Sequence, residues 1–226
     1  MQQPTSKQLF AYWNHIRNGR IAPRRLEIEP AKIATILRET FIAECTGLLG
    51  FRFRLAGTQI CHQFGRELRG IDFLSLWSLE DQDAIAKLIR NILSDGAVGH
   101  GEFVARTETG REASFEFTLM PLIHTGRAIN RLLGSITAIK PPFWLGTEPL
   151  TRFEVIEVHL RSPDGRYWGG GDAVIQALRL MGHGLPAAML SIWPMRVFLR
   201  MAYRRVAVHR SGLGRMLERF FPLKRA

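Results

Sequence analysis

Residues 101–139 read GEFVARTETGREASFEFTLMPLIHTGRAINRLLGSITAI, and this stretch decides the fold. Within 112–123, Phe115, Phe117 and Leu119 recur at every second position, the period of a strand whose two faces differ. Residues 101–107 and 131–139 are strand candidates on either side of it. Thr109-Gly110, between the first two, is a hairpin signal. Three consecutive antiparallel strands follow from this.

Toward the start of the chain, the period lengthens. Over 79–93, Ile85, Leu88, Ile89, Ile92 and Leu93 fall on one helical face, and Asp95-Gly96 ends the pattern. Phe73, Leu74, Leu76 and Trp77 suggest a short helix, and Gly65 and Gly70 punctuate the loop before it. Phe51, Phe53 and Leu55 alternate with Arg52 and Arg54 as a half-buried strand, and Gly57-Thr58 turns the chain into a second short strand around Ile60. Ile33, Ile36, Leu37, Thr40 and Phe41 form a helical stripe opened by Pro30. Residues 20–29 read as extended. Over 6–18, Leu9, Phe10, Trp13 and Ile16 predict an amphipathic helix, with Ser6 as its cap and Gly19 as its end. Two strands, short helices, one longer helix and three antiparallel strands predict an α+β domain, a five-stranded antiparallel sheet with helices packed on one face.

Pro141-Pro142 ends this domain at about residue 142, and a second unit is expected over 150–226. Residues 153–160 alternate again, Pro163-Asp164-Gly165 makes a turn, and 166–169 pair back as a hairpin. Asp172 caps a helix running to Leu180, and 186–208 form a longer helical stretch broken at Pro194. Of the 226 residues 46% are hydrophobic and 23% charged, which excludes a disordered or cysteine-stapled chain. The net charge of +11 is concentrated, because 175–226 carry ten basic side chains against Glu218 alone. Such a tail suits an anionic lipid surface, nucleic acid or an acidic partner. The most apolar run, 185–195, contains two prolines and falls short of the roughly 20 residues a membrane span needs. Cys45 and Cys61 stand in no CxxC or zinc spacing, so a reducing cytoplasm is the expected location. The tail would place the protein at the periphery of the inner membrane.

The segments Pro23-Arg24-Arg25 with Glu29-Pro30, FRFRLAGTQI (51–60), FGRELRG (64–70), FLSLW (73–77), MPLI (120–123) and LLGSI (132–136) together resemble a family of small bacterial PAS-like proteins over residues 5–140. SPDGRYWGGGDAVIQALRLMG (162–182) and AYRRVAVHR (202–210) resemble the second half of the DCC thiol-disulfide oxidoreductase family. The CxxC motif on which that family's activity depends is missing from this sequence, so 150–226 read as a degenerate thioredoxin-like half-domain.

The first resemblance implies small-molecule binding between the inner sheet face and the helices. The candidate lining is Phe53, Leu55, Trp77, Leu88, Phe115, Phe117 and Ile136, with His62 at the mouth. Read from the residues alone, apolar side chains at this spacing are more often core. No cofactor is named by the sequence. His62, His100 and His124 lack the clustering of a metal site, and Gly169-Gly170-Gly171 lacks the Lys-Ser/Thr of a phosphate loop. In the tail, Arg196, Arg200 and Arg204 share one helical face beside Arg205, with Trp193 and Phe198 near them, which suits an interfacial helix or a solvated basic face equally. The expected function is a non-enzymatic PAS-like sensory or interaction module, homodimeric, with a small-molecule ligand, a signalling partner and a docking tail. A thiol-disulfide oxidoreductase relative and a nucleic-acid-binding regulator are the alternatives.

Overall fold

The computed structural model describes residues 1–47, 50–161 and 167–169. The chain divides into two compact units, Met1–Tyr167 and Trp168–Ala226. The helices expected at 172–180 and 186–208, with Arg196, Arg200, Arg204 and Arg205, lie outside the described residues.

The first unit is an antiparallel sheet covered on both faces. Its strands are β1 (Thr40–Thr46), β2 (Gly50–Ala56), β3 (Val98–Arg106), β4 (Glu112–Ile123), β5 (Ile129–Ile139) and β6 (Arg152–Arg161), in the order β2-β1-β5-β4-β3-β6. The helices are α1 (Pro4–Arg17), α2 (Thr58–Phe64) and α3 (Leu79–Asp95). The α+β architecture, the three strands from 98 to 139 and the long helix are as the sequence predicts. Gly96 closes α3 at φ +66°, a backbone conformation that suits glycine.

Two expectations fail in the first third of the domain. The stripe from Ile33 to Phe41 is not a helix: Pro30–Ile33 and Leu37–Glu39 are single 3-10 turns, and Thr40 opens β1. The cause is burial on both faces. Phe41 and Ala43 point into one core and Ile42 into the other, so β1 shows an unbroken apolar run without the alternation of a half-buried strand. Ile60 lies in α2 and is fully buried there, so the second short strand is a helix. Ser6 is also no cap. It sits inside α1, buried, with its hydroxyl 3.4 Å from that of Ser135.

The inner face carries Phe41, Phe53, Phe103, Phe115, Phe117, Ile136 and Phe153, packed against α2, α3 and the turns between them. Close packing fixes the glycine at Gly134, where a Cβ would stand 2.3 Å from Phe41 Cζ. The outer face carries Ile42, Met120, Leu122 and Leu133 beneath Leu9 and Trp13 of α1 and Ile28, Ile33 and Ile36 of the following turns. Trp13 Nε1 donates to Pro121 O at 2.9 Å, which satisfies its buried N–H and pins α1 to β4.

The sheet runs past Pro141-Pro142. β6, read from sequence as half of a hairpin in the second unit, pairs with β3 from Val98↔Arg161 to Arg106↔Arg152. Its start is stapled to α3. Ser78 N donates to Phe153 O at 3.0 Å, while Asp81 Oδ2 accepts Ser78 Oγ at 2.9 Å and Val155 N at 3.0 Å. Asp81→Ala therefore strips the part-buried Val155 amide of its acceptor and removes a negative charge from the first turn of a helix. The expected cost is about 2–3 kcal/mol. Chemical denaturation, with hydrogen exchange at the Val155 amide, checks it; unchanged protection there would show that the staple is unimportant.

Candidate functional site

Six of the eight residues proposed to line a pocket do converge. Phe53, Trp77, Leu88, Phe115, Phe117 and Ile136 all lie in the inner core, between 0% and 6% exposed. Their aromatic members are in ring contact with one another and with neighbouring rings. Trp77 meets Phe103, Phe117, Phe73 and Phe153 at ring-centroid distances of 5.1, 5.5, 5.7 and 6.4 Å. Phe103 stacks on Phe115 at 5.1 Å, and Phe64 meets Phe153 at 4.9 Å. These are the separations of rings in contact. Trp77 Nε1 is buried with no hydrogen-bond partner among the described residues.

Leu55 and His62 lie elsewhere. Leu55 is 49% exposed on the other side of the sheet edge. A register shift explains this: Phe53 pairs with Ala43 but Leu55 pairs with Ile42, so Arg54 is an extra residue on β2 and the alternation is reset. His62 is exposed on α2, where its ring lies against Gly146; a Cβ there would stand 2.4 Å from His62 Nε2.

Leu55 borders a second feature. On the outer face, where the segment after α1 crosses the end of β1 and β2, there is a recess of about 200 Å³. Ile28, Ile33, Ile42 and Leu133 are buried and form its floor, while Leu55 and Leu37 are exposed at its rim. Arg25 contributes to the wall. Four members of the expected helical stripe, Ile33, Leu37, Thr40 and Phe41, do gather here, as the wall of a recess built by turns and a strand. Arg25, Ile28, Ile42 and Leu133 were not recognised as site residues from the sequence. The signal for them was present in Leu132-Leu133, adjacent apolar residues on one strand, which require two covered faces.

Further along the outer face lies a polar group. His100 is buried and stacks on His159 with centroids 4.9 Å apart, and His159 Nε2 lies 3.3 Å from Glu157 Oε1. Burial holds the His100 imidazole down to about 3, with the neighbouring ammonium of Met1, His159 and Arg161 acting in the same direction and Glu157 against them. His100 is therefore neutral near pH 7. Glu116, 1% exposed, accepts the Gln2 and Gln3 amides ahead of α1. Among the described residues no group of three or more His, Cys, Asp or Glu side chains is placed to hold a metal. Burial pushes the thiols of Cys45 and Cys61 up, away from the thiolate that redox chemistry needs.

With this geometry in view, comparison with known proteins decides the family: the model of the PAS domain matches residues 1–137. The chain belongs to the PAS domain family. Solved structures of similar shape include a Rhodobacter sphaeroides LOV protein, at 16% identity and TM-score 0.38, covering 80% of this chain and 89% of that one. The PAS domain of a Colwellia psychrerythraea protein gives 14% and 0.37, covering 49% and 98%. That of an HTR-like protein from Haloarcula marismortui gives 15% and 0.36, covering 51% and 95%. No curated protein matches. The chain thus carries a PAS domain, and β6, which pairs with β3, lies beyond the residues that the family model matches. Among the described residues no helix is long and apolar enough to cross a membrane.

Proposed function

We propose that this PAS module is non-enzymatic and reports the presence of a small molecule by changing what its surface contacts. The observation that supports the reading most is the outer recess. One wall belongs to the sheet, through Ile42 and Leu133, and another to the turns around Ile28 and Ile33, so an occupant touches two elements at once. Binding would favour the arrangement in which they are closed on each other, and the free energy available for signalling is the difference in affinity between the two arrangements. Inside the sheet, by contrast, Trp77 and its phenylalanine neighbours already touch one another.

Transmission goes to a signalling partner or a second copy of the chain, and the basic segment with Arg196, Arg200, Arg204 and Arg205 docks the module on an anionic partner or on the inner face of a membrane. The location is cytoplasmic. The raised thiols speak against a thiol-disulfide exchange role. Native mass spectrometry of the protein purified gently from its own host tests the reading: the expected spectrum shows one small molecule per chain, lost on denaturation. A clean apo mass in every preparation would overturn it in favour of a module that acts by protein contacts alone.

A further inference from the structure

The recess combines an apolar interior with one uncommitted cation. Every acid of the segment beside it is already engaged. Glu27 Oε1 accepts Arg20 Nη2 at 2.8 Å and Glu27 Oε2 accepts the Arg24 amide at 2.6 Å, while Glu29 Oε1 takes Lys32 Nζ at 2.8 Å. Arg25 is half-buried in the wall and, among the described residues, its guanidinium has neither an ion pair nor a hydrogen bond. A guanidinium at the wall of an apolar recess with no anion beside it offers a planar fork suited to a carboxylate. The side chains around it are mostly carbon, with Ile28, Ile33, Ile42 and Leu133 inside and Leu55 and Leu37 at the mouth, and the Thr40 hydroxyl in the lining donates to Leu37 O at 3.0 Å.

We propose that the recess binds a short aliphatic monocarboxylate, its chain over Ile33, Ile42 and Leu133 and its carboxylate on Arg25. The size follows from the space. About 200 Å³ holds roughly seven groups of about 30 Å³ each, which accommodates a chain of about six carbons with the carboxylate at the rim. An unbranched chain of this length covers Leu37 and Leu55, which otherwise expose apolar surface. The class also explains why a single arginine is enough, because a dianion such as a phosphate ester would leave charge unmatched in an apolar pocket. This inference rests on the small-molecule reading given above and names the site and ligand class for it.

The test titrates sodium hexanoate into the full chain, with 1-hexanol as the uncharged probe of the same length, following backbone amide resonances. Hexanoate is expected to shift residues 25–37, 40–42 and 55–57. Arg25→Gln should weaken hexanoate by about 10- to 100-fold and leave 1-hexanol unchanged. Leu55→Asp, at a half-exposed position that folding tolerates, should weaken both probes. Equal hexanoate affinity in wild type and Arg25→Gln overturns the proposal, as does saturation of shifts at Phe115 and Phe117 instead. If host-purified protein carries a molecule that hexanoate neither displaces nor resembles, the ligand assignment fails and the sensory reading stands. If hexanoate does not bind and the host protein is also empty, both fail. Occupancy by a partner's side chain would appear as protection of 25–37 only in the complex, again with no hexanoate binding, and overturns the proposal.

Discussion

Phe153→Ala is expected to lower the stability of the whole described domain by about 3–5 kcal/mol and to do so in a single unfolding transition. Phe153 is 1% exposed, and its ring meets Phe64 at 4.9 Å, Phe103 at 5.8 Å and Trp77 at 6.4 Å. Its backbone carbonyl takes the Ser78 amide at the start of α3. Truncation leaves a void bounded by α2, β3 and the turn before α3, and these elements cannot close it without moving two strands and a helix. With domain stabilities of about 5–15 kcal/mol, the loss is between about a fifth and the whole of the total. Phe153→Leu keeps most of the volume and should lose under about 1.5 kcal/mol, which keeps the measurement interpretable if the alanine variant does not accumulate. Urea unfolding followed by circular dichroism and tryptophan fluorescence reads both. If β6 belonged instead to a separate unit beginning near residue 150, the main transition would stay in place and a second, earlier one would appear.

The same residue shows what the sequence could and could not convey. Alternation over 153–160 located β6, but nothing local names a strand's partner, and Pro141-Pro142 looked like a boundary. The pairing with β3 depends on contacts some fifty residues away. β1 was hidden for a different reason. A strand with both faces covered loses its period of two, and with Ile33, Ile36 and Leu37 before it the run Thr40-Phe41 mimicked a helix. β4 and α3 were legible because each presents its apolar residues at a clean period. For the site, periodicity identified Phe53, Trp77, Phe115 and Phe117 as inward-facing, yet whether inward residues enclose space or fill it depends on ring packing that no spacing reveals. Leu55 was displaced by one inserted residue opposite Ile42/Ala43. The outer recess needs the segment after α1 to be laid across β1, β2 and β5 before it exists, so Arg25 carried no mark in the sequence beyond its neighbours Pro23 and Arg24.

Acidification should destabilise the fold well before most carboxylates titrate, and His100 should account for the difference. His100 on β3 stacks on His159 of β6 at 4.9 Å, within reach of Glu157, Arg161 and the Met1 ammonium. Burial first, and then the Met1 ammonium, holds its imidazole down to about 3 in the folded chain. In the unfolded chain an ordinary imidazole titrates near about 6.5. Above that pH both states are neutral at this position and it adds no slope. Between about 6.5 and 3 the unfolded chain carries a proton that the folded chain refuses, so stability falls as pH falls, at up to about 1.4 kcal/mol per pH unit. Substitution His100→Gln keeps a polar side chain of similar length without the titration. Its stability between pH 7 and pH 4.5 should be much flatter than that of wild type, whatever its absolute value, and the window ends above the range where Glu27, held low by Arg20 and Arg24, releases its contribution. Guanidinium or urea midpoints at half-unit pH steps provide the comparison. Parallel curves for wild type and His100→Gln would mean that the buried imidazole accepts its proton without resistance, and that the outer face around β3 and β6 is wetter than its packing indicates.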